Sequence, residues 1–306
     1  MARAQDDTWD ISAGVGETAL GIAHIRAVES TRPDAVFVDP YARVLFDAAN
    51  SASWNTMAQA GISAGGAGLA AYVVARTKYF DDYFMSSVDS YGLRQIVTLA
   101  AGLDSRPQRL AWPADTVLFE VDQPQVLDFK ETTLLHHGVH SMADYRKVGK
   151  DLRFDWANAL LANGFDAERP TAWLVEGLLP YLDPRDQDAL FETIVGLSAP
   201  GSRVAVDDFG NTDIPWFRRA TTSTGDLERS RYGVDIGKSA SGVAGLMYLD
   251  ESRRPASEWF VTHGWPVSSR TVREMASAVN RSVPAPDEMG LFDNLLFTAE
   301  SPALNS

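Results

Sequence analysis

The sequence predicts an α/β fold with a doubly wound, mostly parallel seven-stranded sheet, and three observations predict it. Residues 96–122, IVTLAAGLDSRPQRLAWPADTVLFEVD, run from an apolar β-branched segment through a glycine turn at Gly102 and a proline-bearing helix start to a second apolar run ending on Asp122. Strand, loop, helix, strand and acid in that order form the unit that holds a ribose-bearing ligand at the carboxyl edge of a parallel sheet. Apolar runs recur at 96–101, 117–121, 146–150, 171–176 and 203–207 with helix signals between them, the alternation expected of βαβ units. Finally, Gly102, Asp122, Asp151, Glu176 and Asp207 each end one of these runs, at intervals of 20, 29, 25 and 31 residues. Each interval fits one strand, one helix and their loops.

The elements follow in order. Residues 17–30 and 69–86 read as helices, with apolar positions at three- and four-residue spacing. Between them lie the turn-rich RPDAVFVDPYA (32–42) and the loop-like AGISAGGAG (60–68). Residues 1–90 are thus expected to form a helical cap ahead of a ligand-binding core at 91–208. Pro124 opens a helix that stops at Gly138, Asp155 can cap one that stops at Gly164, and Asp183 precedes Pro184 at a helix start. Proline just inside the start and glycine just past the end is the expected asymmetry. Residues 209–259 are too long for an ordinary connection. They are expected to form an insertion over the carboxyl edge, a lid whose Trp216 and Phe217 would cover an apolar acceptor. The remainder, 260–306, completes a single domain. It should hold a strand at 260–262 or 265–267, a helix capped by Ser269 or Thr271, and a last strand at 293–300. Thr271 and Glu274 have capping-box spacing.

Composition removes several classes of function. The net charge is −14, from 27 basic and 41 acidic residues, which disfavours a nucleic-acid partner because polyanion binding leans on clustered Lys and Arg. There are no cysteines, so disulfides, thiolate metal sites and cysteine nucleophiles are excluded. The N-terminal stretch carries acids where a signal peptide needs a basic start, and no apolar run of about 18 residues is present. A cytoplasmic protein with no membrane partner is the expectation; nothing in the sequence sets its oligomeric state. His136, His137 and His140 sit at the end of a helix, where the dipole explains imidazoles, and no third ligand stands at a diagnostic spacing, so no metal is expected.

The glycine loop narrows the ligand. A pyrophosphate needs several glycines so that backbone amides can close on it, yet this loop has only Gly102, with Asp104 placed to repel a phosphate. S-adenosylmethionine carries a ribose and an amino acid but no phosphate, and its sulfonium and ammonium would offset the repulsion among acids gathered at the strand ends. It is therefore the expected cofactor. An NAD-dependent oxidoreductase, which shares the ribose acid but calls for a richer glycine loop, and a non-catalytic S-adenosylmethionine-binding protein are the alternatives. After the fourth strand, TAWLVEGLLPYL lacks the Asn or Asp, Pro-Pro and aromatic tetrad of many enzymes that methylate nitrogen, which favours an oxygen acceptor.

Five ordered motifs, ARTKYFDDYF (75–84), LAAGLDSRPQRL (99–110), FEVDQPQVLDFK (119–130), KDLRFDW (150–156) and VEGLLPYL (175–182), resemble the leucine carboxyl methyltransferase family. Within it, the chain is most similar to an actinobacterial branch of S-adenosylmethionine-dependent methyltransferases with a Rossmann-like fold, which RPDAVFVDPYA also resembles. The likeness covers nearly the whole chain and is weakest across 209–259. It implies that Arg76 grips the methionine carboxylate, where a guanidinium fork suits, and that Gly102 lies beside the amino-acid end. It further implies that Asp122 holds the ribose, Asp151 and Leu152 flank the adenine, and Glu176 faces the ammonium, with Asp104 shaping the loop. The plain alternative for Arg76 is a surface ion pair with Asp81 or Asp82. Methyl transfer from a sulfonium is an in-line displacement in which the cofactor brings the electrophile. A carboxylate acceptor, on a small molecule or a protein, is already ionised and needs no base. A hydroxyl acceptor would need one, with His263, Asp207 and Asp208 as candidates.

Overall fold

A computed structural model describes residues 15–51, 66–208, 248, 253–283 and 291–302. Within them seven strands form one sheet: β1 (Gln95–Leu99), β2 (Val117–Asp122), β3 (Asp144–Gly149), β4 (Thr171–Val175), β5 (Arg203–Asp208), β6 (Val267–Thr271) and β7 (Leu295–Glu300). Their order is β3-β2-β1-β4-β5-β7-β6. The first five are mutually parallel, and β7 runs antiparallel to both its neighbours. The chain winds outward from β1 to β3, then returns to β4 on the other side of β1. That reversal is the switch point at which open α/β sheets bind ligands.

The strand sequences account for their places. Every residue of β1 (QIVTL) and β4 (TAWLV) is buried, as expected of parallel strands covered on both faces. Alternate residues feed two cores. Val97, Leu99, Phe119, Val121, Trp173 and Val175 face one side, where they meet Trp156, Leu160, Phe191, Trp259 and Phe260. Ile96, Leu118, Ala172, Leu174 and Ala205 face the other, against Tyr72, Phe80, Phe84, Met275 and Ala276. The strands at the two borders, DYRKVG and VSSRT, are the polar ones, which suits unpaired edges.

The helices are α1 (Val15–Glu29), α2 (Ala42–Ala48), α3 (Gly66–Asp89), α4 (Arg106–Arg109), α5 (Pro124–His136), α6 (Trp156–Ala162), α7 (Pro184–Gly196), α8 (Ala256–Thr262) and α9 (Val272–Ala278). Asp155 caps α6 by accepting from the Asn158 amide, and Asp183 caps α7 by accepting from the amides of Arg185 and Asp186. Thr271 and Glu274 form the capping box of α9. Ser269, the other cap considered, lies within β6.

One expectation fails. Residues 260–262 are the last turn of α8 and not a strand. Ala256, Trp259 and Phe260 are its buried residues, and their three- and four-residue spacing is helical, although Val261 and Thr262 give the stretch a β-branched end. The strand is Val267–Thr271, which meets the other expected position, 265–267, only at Val267. Its polar residues pair on one side only and offer no apolar run to read. Trp216, Phe217 and most of the expected lid fall outside the described residues. Among the described residues no helix is long and apolar enough to cross a membrane.

Trp173 is the keystone of the first core. It is fully buried, its ring lies 5.3 Å from Phe165 and 6.5 Å from Trp156, and its indole N–H donates to Ser198 Oγ at 2.9 Å. Trp173→Ala should lower stability by about 3–5 kcal/mol. Urea unfolding measures this, and a loss below about 1 kcal/mol would contradict the packing described.

Candidate active site

Parallel pairing carries the ends of five strands to one edge in the spatial order β3, β2, β1, β4, β5. The side chains and loops at those ends follow suit. Asp151 lies two residues past β3, Asp122 ends β2, Gly102 follows β1, Glu176 follows β4, and Asp207 is the penultimate residue of β5. Four steps at about 4.8 Å per strand spread them over roughly 19 Å. Such a row is long enough for a nucleoside at one end and an amino acid at the other.

The loop after β1 is tightly turned. Both Ala100 and Gly102 have positive φ, +52° and +51°. Such a conformation costs an alanine free energy and, where it persists, tends to mark a ligand site. The Gly102 amide donates to Asp122 Oδ2 at 2.7 Å, and the Gln123 amide donates to Oδ1 at 2.6 Å. Burial pushes the Asp122 carboxyl up, while these two amides and the charge of Lys130 pull against that rise. Asp104 is buried, accepting from the Arg106 amide at 2.8 Å and from Arg106 Nη1 at 2.9 Å. Burial works against its charge, but Arg106, Arg26 and Lys130 more than offset the cost and hold it below the usual carboxylate range.

Arg76 is not a surface residue. It projects from the middle of α3, is 6% exposed, and lies 2.9 Å from Glu176 through Nε and 2.9 Å from Asp207 through Nη1. Of its two alternative surface partners, Asp81 pairs with Arg106 at 2.7 Å and Arg109 at 2.6 Å, while Asp82 pairs with Lys78. Burial alone would lower the Arg76 pKa, but Glu176, the Tyr72 oxygen and Asp207 raise it well above its ordinary value. Glu176 is shared with Arg106 Nη1 at 2.8 Å. Asp207 also accepts from the Gly177 amide at 2.7 Å and the Tyr72 hydroxyl at 3.2 Å. Gly177 has φ +67°, and a Cβ there would stand 3.3 Å from Arg76 Nη1. A side chain there would be strained by the positive φ and would crowd this guanidinium.

The structure therefore brings Gly102, Asp122, Glu176 and Asp207 to one edge of the sheet, with Arg76 paired to the last two. Asp151 and Leu152 stand at the β3 end of that edge, where Asp151 pairs with Arg153 at 2.6 Å and Leu152 packs on the first core. Sequence reasoning missed Arg106, which ties Asp81, Asp104 and Glu176 together. Its partner Glu176 is 70 residues away, so no local spacing reveals it.

The candidate bases fare less well. Asp208 accepts from the Ser257 amide at 3.0 Å and hydroxyl at 3.2 Å, anchoring the start of α8. His263 lies at the other end of that helix, stacked on Trp259 at 3.6 Å. It stands four residues before Val267, which pairs through Ala299 to the level of Val204 at the amino end of β5. His263 thus belongs to the opposite edge of the sheet. His136 and His137 contact carbonyls of their own helix, and among the described residues no cluster of three or more His, Asp or Glu could hold a metal ion.

Residues 19–195 match the model of the leucine carboxyl methyltransferase family. The chain belongs to that family. It is 45% identical over 289 residues, covering 94% of this chain and 95% of the relative, to a protein of Rhodococcus jostii named as an S-adenosyl-L-methionine-dependent methyltransferase. A Mycobacterium tuberculosis protein of the same description is 43% identical, with 92% and 90% covered. Among solved structures, the fold is shared with a DUF574 family protein of Streptomyces avermitilis, at a TM-score of 0.57 and 16% identity over 96% of this chain and 99% of the other. A methyltransferase of Thermobifida fusca gives a TM-score of 0.53 at 16% identity, with 92% and 95% covered. The α/β methyltransferase fold expected from the sequence is the fold of this family member.

Asp207 generates a pH-dependent prediction. Burial, then the neighbouring Glu176, raise its pKa from 3.8 to about 6 against the pull of Arg76. The folded state thus holds this proton more tightly than the unfolded chain. The resulting stabilisation is full below about pH 4 and is lost as the pH rises to about 6. Relative to Asp207→Asn, the native chain should lose on the order of 3 kcal/mol across that window and change little above it. Urea midpoints of both proteins measured at a series of pH values test this. A difference independent of pH would contradict it.

Proposed function

We propose that this protein, an S-adenosylmethionine-dependent methyltransferase of the leucine carboxyl methyltransferase family, transfers the methyl group to an oxygen acceptor, a carboxylate in preference to a hydroxyl. The observation that carries the reading is the row of strand ends, in which acids alternate with a glycine loop and one guanidinium stands at the amino-acid end. S-adenosylmethionine presents a ribose diol, a carboxylate and two positive charges, and the donor set fits each. Asp122 is an acceptor-only group for the ribose, with Asp151 and Leu152 on the adenine side. Glu176 answers the ammonium. Arg76, though paired with two acids, has a fork able to take a third carboxylate. The tight passage of Gly177 beside Arg76 is consistent with a backbone that must approach the ligand closely.

When bound, the cofactor supplies an electrophilic methyl group activated by positive sulfur. The residues of this chain would bind its two halves, fix their direction along the edge and align the methyl toward the acceptor. Two observations support oxygen. The segment after β4 reads Glu176-Gly177-Leu178-Leu179-Pro180-Tyr181 without the nitrogen-directed tetrad. Among the described residues, the candidate bases are either engaged elsewhere, as Asp207 and Asp208 are, or on the far edge, as His263 is. A carboxylate acceptor, ionised at neutral pH, requires none.

Two measurements test the reading. Asp122→Ala should weaken S-adenosylmethionine binding by about 1.5–3 kcal/mol in calorimetry, the range for charge-assisted hydrogen bonds; affinity near that of the native chain would mean the ribose lies elsewhere. For the acceptor, extracts labelled with methyl-tritiated cofactor should yield products that release methanol in mild alkali, as carboxyl methyl esters do. Alkali-stable label would point to ethers or methylamines and overturn the carboxylate.

A further inference from the structure

The segment RPDAVFVDPYA lies in the helical cap, away from the carboxyl edge, yet its Asp39 ends a line of buried charges that reaches the edge. Asp39 is 1% exposed. Its Oδ1 accepts from the amides of Tyr41 at 3.1 Å and Ala42 at 3.0 Å, which starts α2. Its Oδ2 takes Arg26 Nε of α1 at 2.9 Å and stands 3.8 Å from Arg109 Nε. Arg109 passes the contact to Asp81, Asp81 to Arg106, and Arg106 to Asp104 and Glu176. Glu176 then meets Arg76.

Arg26 does more than balance charge. While Nε holds Asp39, Nη2 donates to the Leu103 carbonyl at 2.6 Å. The next carbonyl, that of Asp104, accepts from Lys130 Nζ at 2.9 Å. Two buried cations from helices on the cap side thus grip consecutive carbonyls of the glycine loop. The strained backbone at Ala100, a non-glycine residue with φ +52°, gives that loop reason to relax elsewhere if the grip is lost.

We infer that Arg26 and Asp39 are positioning residues for the amino-acid half of the cofactor, acting through the Leu103 carbonyl and through the line of ion pairs that ends at Glu176 and Arg76. The inference rests on the cofactor site proposed above. The guanidinium fork is essential to it, because one planar group must reach a carboxylate and a carbonyl in two directions at once. A lysine keeps the charge but has no such fork. The strap 32–42 is then the clamp that keeps Asp39 under Arg26. It is itself held where Glu29 accepts from the Val36 amide at 2.8 Å and Ser30 Oγ accepts from the Asp39 amide at 2.8 Å.

The test separates the two halves of the ligand. Native chain, Arg26→Lys and Asp39→Asn are titrated calorimetrically with S-adenosylmethionine and with methylthioadenosine, which keeps the nucleoside and lacks the amino acid. Circular dichroism establishes that each variant is folded at the titration temperature. Asn at 39 can still accept from Tyr41 and Ala42, and should it fail to fold, Arg26→Lys carries the test. The expected result is a loss of about fivefold or more in S-adenosylmethionine affinity with methylthioadenosine affinity within about twofold of native. An equal loss for both ligands, as general destabilisation would give, overturns the inference, as does unchanged S-adenosylmethionine affinity in a folded variant. A native chain that bound neither ligand would instead refute the cofactor site on which the inference stands.

Discussion

The structure depends on how acids gathered by a parallel sheet are kept charged out of water. Parallel strands that share one direction also share one carboxyl edge, so acids at their ends must converge. Left alone, buried carboxylates a few ångströms apart would repel and take up protons. Arg26, Arg76, Arg106 and Arg109 thread between Asp39, Asp81, Asp104, Glu176 and Asp207 at distances from 2.6 to 3.8 Å. That leaves one carboxylate in excess, and Asp207, whose pKa is raised first by burial and then by the neighbouring Glu176, is the acid that holds its proton most readily. Buried ion pairs of this kind contribute little net stability, because desolvation cancels much of the attraction. Their return here is geometric: they hold Arg76, Glu176 and the glycine loop in one arrangement.

That division separates fold from site. The apolar faces of β1 and β4, the double core and the capped helices supply stability. The charged line runs through the seam between the α3 side of the sheet and the helical cap, and it determines where a ligand's charges can sit. A cofactor with net positive charge suits an edge with acid to spare. A pyrophosphate, with a single glycine in the loop to offer backbone amides, does not.

Much of this was legible in the sequence, for physical reasons. Strand ends were readable because an apolar run stops where the chain leaves the sheet, and the acids mark that boundary. Helix starts at Pro124, Asp155 and Pro184 were readable because caps act over two or three residues. What was not readable was non-local or concealed by composition. The partners of Arg76 lie 100 and 131 residues away, and its local spacing pointed only to the alternative of a surface pair with Asp81 or Asp82. Arg106 and Arg26 carried no spacing signal at all, since their partners Glu176 and Leu103 lie 70 and 77 residues away. Residues 256–262 hid a helix behind a β-branched end, and β6 hid a strand behind polar residues at a sheet border.

The family places methyl transfer in this chain, and the site proposed above would give the cofactor a direction along the edge, with the nucleoside toward β2 and β3 and the amino acid toward β4 and β5. The most direct measurement is a crystal structure of the chain with S-adenosylmethionine bound. The account predicts ribose oxygens within hydrogen-bond distance of Asp122 and the methionine carboxylate at the Arg76 guanidinium. A cofactor lying with its adenine over Glu176, or bound away from these strand ends, would contradict it.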